Sequence, residues 1–164
     1  MDHAVLVMTT GISRDLVDEY FRACVSRDPA RLARCLDDDV QWTLGGPVDL
    51  LPFCGQRRGK QAVIDTIVGL TPKIMRMTGM DIEELLIDGD RAAAIIRVSA
   101  IHAVTGRTVS YRNAHFLRYR DGKLAELRAL IDTFDAAEQL LGHPIDTSRD
   151  EPPEIAAHGN RVAL

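Results

Sequence analysis

The sequence predicts an α+β domain in which helices cover one face of an antiparallel sheet. Three observations carry this. The N-terminal third has helical spacing: "SRDLVDEYFRACVSRD" places apolar residues at 16, 17, 20, 21, 24 and 25, one face of a helix. From about residue 77 onward, period-two runs are separated by the tight turns "DGD", "TGR" and "DGK". A last helical stretch, "TFDAAEQLL", then closes the pattern. At 164 residues the chain is most simply one domain. A chain of ~150 residues buries roughly 70% of its unfolded surface, so a full core needs no covalent staples.

Each element has its own local reason. Ser13 stands where an N-cap belongs, and Asp28 followed by Pro29 opens a second short helix over "DPARLARCL". "DDDVQWTLGG" predicts a strand from about Val40 to Leu44, ended by Gly45, Gly46 and Pro47. "GPVDLLPFCGQRRG" reads as a Gly- and Pro-rich loop. "KQAVIDTIVGL" returns to helical spacing, with Pro72 expected to close it. "MTGMDIEELLID", "RAAAIIRVSAIHAV", "TVSYRNAHFLRYR" and "LAELRALID" then form a four-stranded antiparallel meander. The final helix begins near Thr133 and fades at Gly142 and Pro144. The expected division is a flexible N-terminus over 1–12, a single domain over 13–146 and a polar C-terminal tail over 147–164.

Bulk chemistry removes several function classes. A net charge of −4 gives no electrostatic case for nucleic acid or an anionic membrane surface. No apolar run approaches the ~20 residues of a membrane span, and "MDHAVLVMTTG" lacks the basic start and long apolar run of a signal peptide. Cys24, Cys35 and Cys54 are odd in number and form no CxxC pair, which fits free thiols in a cytoplasmic setting. His102 and His115 show no metal-ligand spacing, "GGPVDLLPFCG" lacks the Lys and Ser/Thr of a phosphate loop, and no Ser sits in a nucleophile elbow. No metal or cofactor is expected.

A few residues are chemically out of place. Asp132 follows Leu130 and Ile131 and precedes Phe134, and a carboxylate in apolar surroundings is costly unless paired or protonated. It is either the cap of the last helix or the working group of a pocket. On "TVSYRNAHFLRYR" the alternation puts Tyr111, Asn113, His115, Leu117 and Tyr119 on one face. Asn113 and His115 can hold a ligand carbonyl or shuttle a proton; equally, His115 can be a satisfied core histidine. Trp42 is a flat wall of a pocket or of plain core, and Tyr20 turns its hydroxyl into the same space or packs as core.

"RYRDGKLAELRALIDT" resembles the end of the SnoaL-like group in the nuclear-transport-factor-2-like superfamily, where a strand, "RDGKI" and a strand ending "REYxDT" follow one another. "VQWTLGGPVDLLPFCGQRRGKQAV" is similar to that group's first strand, Pro-rich loop and Gly-x-x-x-Gly helix entry. The resemblance covers roughly residues 13 to 142. It implies a cystatin-like cone, a strongly curved antiparallel sheet wrapped around three to four helices with an apolar pocket at the open end.

The resemblance also implies roles. In the limonene epoxide hydrolases and polyketide cyclases of this fold, the Asp matched by Asp132 acts as or beside the general base. Arg97 matches the Arg of their Arg-x-Asp strand and either pairs with Asp132 or forms a surface ion pair. The chain departs from the pattern elsewhere. Ser99 replaces the second carboxylate, and Ala129 and Leu130 replace the usual Glu and Tyr. Trp42 and Leu44 replace a water-holding Tyr and Asn, and Trp42 also stands where ketosteroid isomerase has its Asp base. The expected catalytic set is Asp132, Arg97 and His115, with Tyr20, Trp42, Asn113, Tyr111, Ser99 and Leu130 at the ligand. Two functions follow. One is a cofactor-free isomerase, cyclase or hydrolase acting on a small apolar molecule with Asp132 as acid or base. The other is a non-catalytic ligand-binding or structural dimer domain on the same fold. A homodimer through the exposed face of the meander is expected in either case, because "RAAAIIRV" is apolar on both of its faces.

Overall fold

Ser13 caps the first helix, α1 (Arg14–Ser26), its Oγ accepting the Leu16 N–H at 3.3 Å. In the computed structural model residues 11–146 are described. The expectations for residues 1–10 and for the 147–164 tail therefore lie outside the described residues. Ile12, within the stretch predicted to be flexible, donates its N–H to Gly89 O at 2.9 Å.

The inward stripe of α1 is Val17, Tyr20, Phe21 and Cys24, the i, i+3, i+4, i+7 pattern of a helix with one buried face. Arg27 ends the helix in the left-handed region at φ 55. Asp28 then caps α2 (Pro29–Cys35) by accepting the N–H groups of Ala30 and Arg31. A two-pronged pair from Arg31 to Glu19, 2.6 and 2.8 Å, ties α2 to α1.

The strand β1 (Leu36–Gly45) starts four residues earlier than its apolar pattern predicts. The Asp37–Asp39 run is tolerated there because Arg120 holds Asp37 at 2.7 Å and Lys60 pairs with Asp38. Part of the predicted loop pairs with β1 as β2 (Gly55–Arg58), which has too few residues to show a period. Helix α3 (Lys60–Ile64) continues through a π-helical stretch, Asp65–Leu70, into α4 (Thr71–Ile74). Pro72 does not close the helix as expected. The wide turn before it bonds Thr71 N–H to Thr66 O, relieving the crowding a proline ring imposes on an ordinary helical turn.

The meander is β3 (Met75–Asp88), β4 (Arg91–His102), β5 (Thr108–Arg120) and β6 (Lys123–Ile131). Asp121 and Gly122, both at positive φ, form the two-residue turn between β5 and β6. The full sheet has six strands in the order β2-β1-β6-β5-β4-β3. β1 joins β6 in parallel, with Trp42 opposite Leu127 and Leu44 opposite Ala129; the other pairings are antiparallel. The architecture is the α+β cone that the sequence predicts, with the expected first strand β1 joined to the meander and β2 formed from part of the expected loop.

Strict alternation sorts the long strands. Ala92, Ala94, Ile96, Val98 and Ala100 of β4 point inward, as do Val109, Tyr111, Asn113, His115, Leu117 and Tyr119 of β5. They meet Val17, Phe21 and Leu32 from the helices in one core. The closing helix α5 (Thr133–Leu141) is fastened to β5 by Gln139, whose amide exchanges two hydrogen bonds with the Ser110 backbone, 2.7 and 2.6 Å.

Candidate functional site

Between α1 and the concave face of the sheet lies a cavity of about 50 Å³. Tyr20 and Cys24 of α1 form one wall, and Trp42 and Leu44 of β1 a second. Phe53 comes from the loop, and Ile67 and Thr71 from the wide helical turn. Met75, Met77 and Met80 of β3 line a third side, and Val98, Tyr111, Asn113 and His115 complete the sheet floor. The alternation of β5 is what brings Tyr111, Asn113 and His115 together here.

Hydrogen bonding divides the polar groups into two sets. The Trp42 Nε1–H donates to the Tyr20 hydroxyl at 3.2 Å, which is also hydrogen-bonded to the Cys24 thiol. Tyr111 O–H donates to Met75 Sδ at 3.3 Å. Those groups are engaged. Asn113 Oδ1 and both ring nitrogens of His115 are buried without a partner. Each residue is only 5% exposed. In register, His115 lies between Ala94 and Ala129, so neither neighbouring strand offers it a polar group, and the Phe21 ring stands nearly perpendicular to it with the centroids 5.3 Å apart.

Burial also sets the charge of the site. It pushes the His115 imidazole down to about 4 and the Cys24 thiol up to about 12. It raises Tyr20 and Tyr111 above the usual phenol range in the same way. Near neutral pH the titratable groups at the cavity are all uncharged, and its described lining has no Asp, Glu, Lys or Arg. Among the described residues no group of three His, Cys, Asp or Glu side chains could hold a metal ion.

Four expected site residues lie elsewhere. Asp132 is exposed at the start of α5. Its backbone, not its carboxylate, makes the junction: its N–H donates to Arg112 O at 2.9 Å and its carbonyl accepts Ala136 N–H at 3.0 Å. The apolar surroundings expected for it are corrected by parity, because Leu127, Ala129 and Ile131 face inward on β6 and residues 128, 130 and 132 face out. Leu130 is accordingly 62% exposed. Arg97 and Ser99 occupy the outward positions of β4. Arg97 does not meet Asp132; it and Arg112 both grip Glu83, at 2.6 and 2.7 Å. The Arg112 bond, with Arg97 beside it, holds the Glu83 carboxyl below the usual range. Sequence reasoning missed Thr71 and the three methionines. They reach the cavity through the wide turn and through irregularities of β3 between Met77 and Gly79, which follow no simple period.

Residues 17–127 match the SnoaL-like domain. The chain belongs to the SnoaL-like domain family. A candidate isomerase from Rhodopseudomonas palustris is 33% identical to this SnoaL-like domain, over 80% of this chain and 100% of its own, with a TM-score of 0.73. A nuclear-transport-factor-2-like protein from Burkholderia xenovorans, at 21% identity, aligns over 77% of this chain and 93% of its own with a TM-score of 0.64. An epoxide hydrolase from M. tuberculosis resembling the limonene enzymes, at 16% identity, aligns over 78% of this chain and 88% of its own with the same TM-score, 0.64. The last two establish likeness of fold alone. No curated protein matches the sequence. Among the described residues no helix is long and apolar enough to cross a membrane.

Proposed function

We propose that this SnoaL-like domain binds a small, largely apolar molecule in the inner cavity, with Asn113 and His115 as its polar contacts. The observation that carries the reading is the pair of buried side chains whose polar atoms have no partner inside an otherwise apolar lining. A buried donor or acceptor left unmade costs about 1–3 kcal/mol, and a bound molecule supplying the missing bond recovers it. Trp42 is the single tryptophan of the chain and lies on the cavity wall, so its emission reports occupancy directly. Titration with small aromatic probes should give a saturable change in that emission. Emission that drifts linearly for every probe, with no saturation, would overturn the reading.

A second reading is isomerase-type proton transfer without a cofactor on the same molecule. The 33% identical candidate isomerase favours it. In this reading His115, kept neutral by burial, acts as hydrogen-bond donor and proton relay at the ligand. An exposed Asp132 does not support the role of base that the resemblance implies, so the acid or base of this reading is His115. Turnover that survives His115→Gln unchanged would remove it.

The partner expected from the sequence, a second copy of the chain, is part of the proposal. On the outer face Leu86, Ala93 and Phe116 stand in one cross-strand row, and Ile95, Ala114 and Leu130 in the next. Phe116 is 50% exposed and Leu86 74%. An apolar strip of this kind fits a self-complementary contact about a two-fold axis. Sedimentation at micromolar concentration should give twice the 18.1 kDa chain mass, reduced to the chain mass by Phe116→Arg. A single 18.1 kDa species in the unmodified protein would refute it.

A further inference from the structure

We propose that the ligand of the inner cavity is an uncharged molecule whose polar group is a hydroxyl, a phenol or an alcohol, rather than a ketone, an epoxide or a carboxylate. This rests on the cavity being a ligand site. It follows from counting what the unpartnered atoms can accept and give.

A neutral imidazole has one N–H donor and one bare nitrogen acceptor, and an amide oxygen is an acceptor. At the cavity the unpartnered buried atoms are Asn113 Oδ1 and the two ring nitrogens of His115; Tyr119 Oη, also unpartnered, is not part of its lining. The three cavity atoms therefore present two acceptors and one donor, beside the two N–H donors of the Asn113 amide nitrogen, which is not among the buried unpartnered atoms. A carbonyl, ether or epoxide oxygen only accepts, so it serves the imidazole N–H and leaves both acceptors unmade. A hydroxyl donates and accepts. Its O–H answers Asn113 Oδ1 or the bare ring nitrogen, and its oxygen takes the imidazole N–H. The other polar walls cannot substitute, since Trp42, Tyr20 and Tyr111 are already engaged. An anion would enter a lining whose described residues include no cation, and a cation one that includes no carboxylate.

The cavity of about 50 Å³ has room for waters but falls short of the roughly 150 Å³ that holds a benzene ring. The side that can give way is β3, where Met77 and Met80 are half-buried next to an irregularity of the strand. Unbranched methionine side chains reshape at low cost, which makes that wall adaptable to a flat guest.

The test uses the full chain and four benzene rings that each carry one substituent: phenol, toluene, benzaldehyde and benzoate. Affinity is measured by calorimetry, and the His115 ring is followed by proton–carbon NMR. Phenol should bind at least about tenfold more tightly than toluene and benzaldehyde, with benzoate weakest, and should shift the His115 ring resonances. His115→Phe, checked for an intact melt, should bring phenol down to toluene. If toluene or benzaldehyde binds as well as phenol, the cavity is a ligand site but the hydroxyl assignment is wrong. If benzoate binds best, the uncharged assignment is wrong. If none of the four binds, the cavity reading itself fails and the hydroxyl assignment falls with it.

Discussion

The two faces of β4 and β5 differ in how they handle polar groups. On the outer face Arg97 and Arg112 share Glu83, and Arg118 shares Glu126 with Arg128 of β6, with water at hand for whatever the pairs leave over. On the inner face of the same strand, one and three residues beyond Arg112, Asn113 and His115 have neither water-facing exposure nor a pairing partner. The outer groups can be rearranged at little cost, because exposed ion pairs contribute little to stability. The inner ones cannot, because an unmade bond in low dielectric keeps its full penalty. Among the described residues that penalty falls on Asn113, His115 and Tyr119 of β5, and of these only Asn113 and His115 line the cavity, which is what the ligand proposal rests on.

Changes on the inner face should therefore dominate. Phe21 is almost completely buried and packs against His115; Phe21→Ala should cost about 3–5 kcal/mol, read by chemical denaturation. Next in size is a pH effect. An unfolded histidine titrates near 6.5 and His115 in the fold at about 4, so between those values the unfolded chain binds the extra proton. Stability should be level above pH 6.5 and should fall as pH drops towards 4, by about 3 kcal/mol in all. The carboxylates that are held low by arginine, Asp37 and Glu83 among them, add to the loss only nearer pH 4. The slope between pH 6.5 and 5 thus belongs to His115, and His115→Phe should flatten it.

The same variant sharpens the contrast from the other side. Replacing an unpartnered buried imidazole by a ring of similar shape should leave the stability unchanged or raise it by about 1 kcal/mol, while weakening ligand binding. A large loss of stability would mean that His115 makes a structural bond after all. The smallest effects belong to the outer face and the strand–helix junction. Glu83→Gln should move the melting temperature hardly at all. Asp132→Asn, at a helix start where the side chain makes no capping bond, should cost roughly 0.3 kcal/mol or less.

Local physics made much of this legible in the sequence. The caps at Ser13 and Asp28 and the turn at Asp121 and Gly122 are short-range devices, and each forms where its residues predict. The alternation along "TVSYRNAHFLRYR" placed Tyr111, Asn113 and His115 on one inner face because a pleated strand permits nothing else. What was hidden depends on distant or irregular backbone. The parallel docking of β1 on β6 joins segments some 85 residues apart, Trp42 and Leu127, and leaves no local trace. The wide turn through Thr71 and Pro72 runs against the ordinary rule for proline. Asp132 is the instructive error: a family pattern pointed inward while the alternation through Leu127, Ala129 and Ile131 pointed out, and the alternation prevails.

The most direct test sets the cavity against that junction in one titration. Phenol binding, followed through Trp42 emission, is compared in the unmodified chain, Asn113→Leu and Asp132→Asn. The cavity account predicts that Asp132→Asn binds as the unmodified chain does, while Asn113→Leu loses about tenfold or more. Binding that is unchanged in Asn113→Leu and lost in Asp132→Asn would contradict it and return the site to the end of β6.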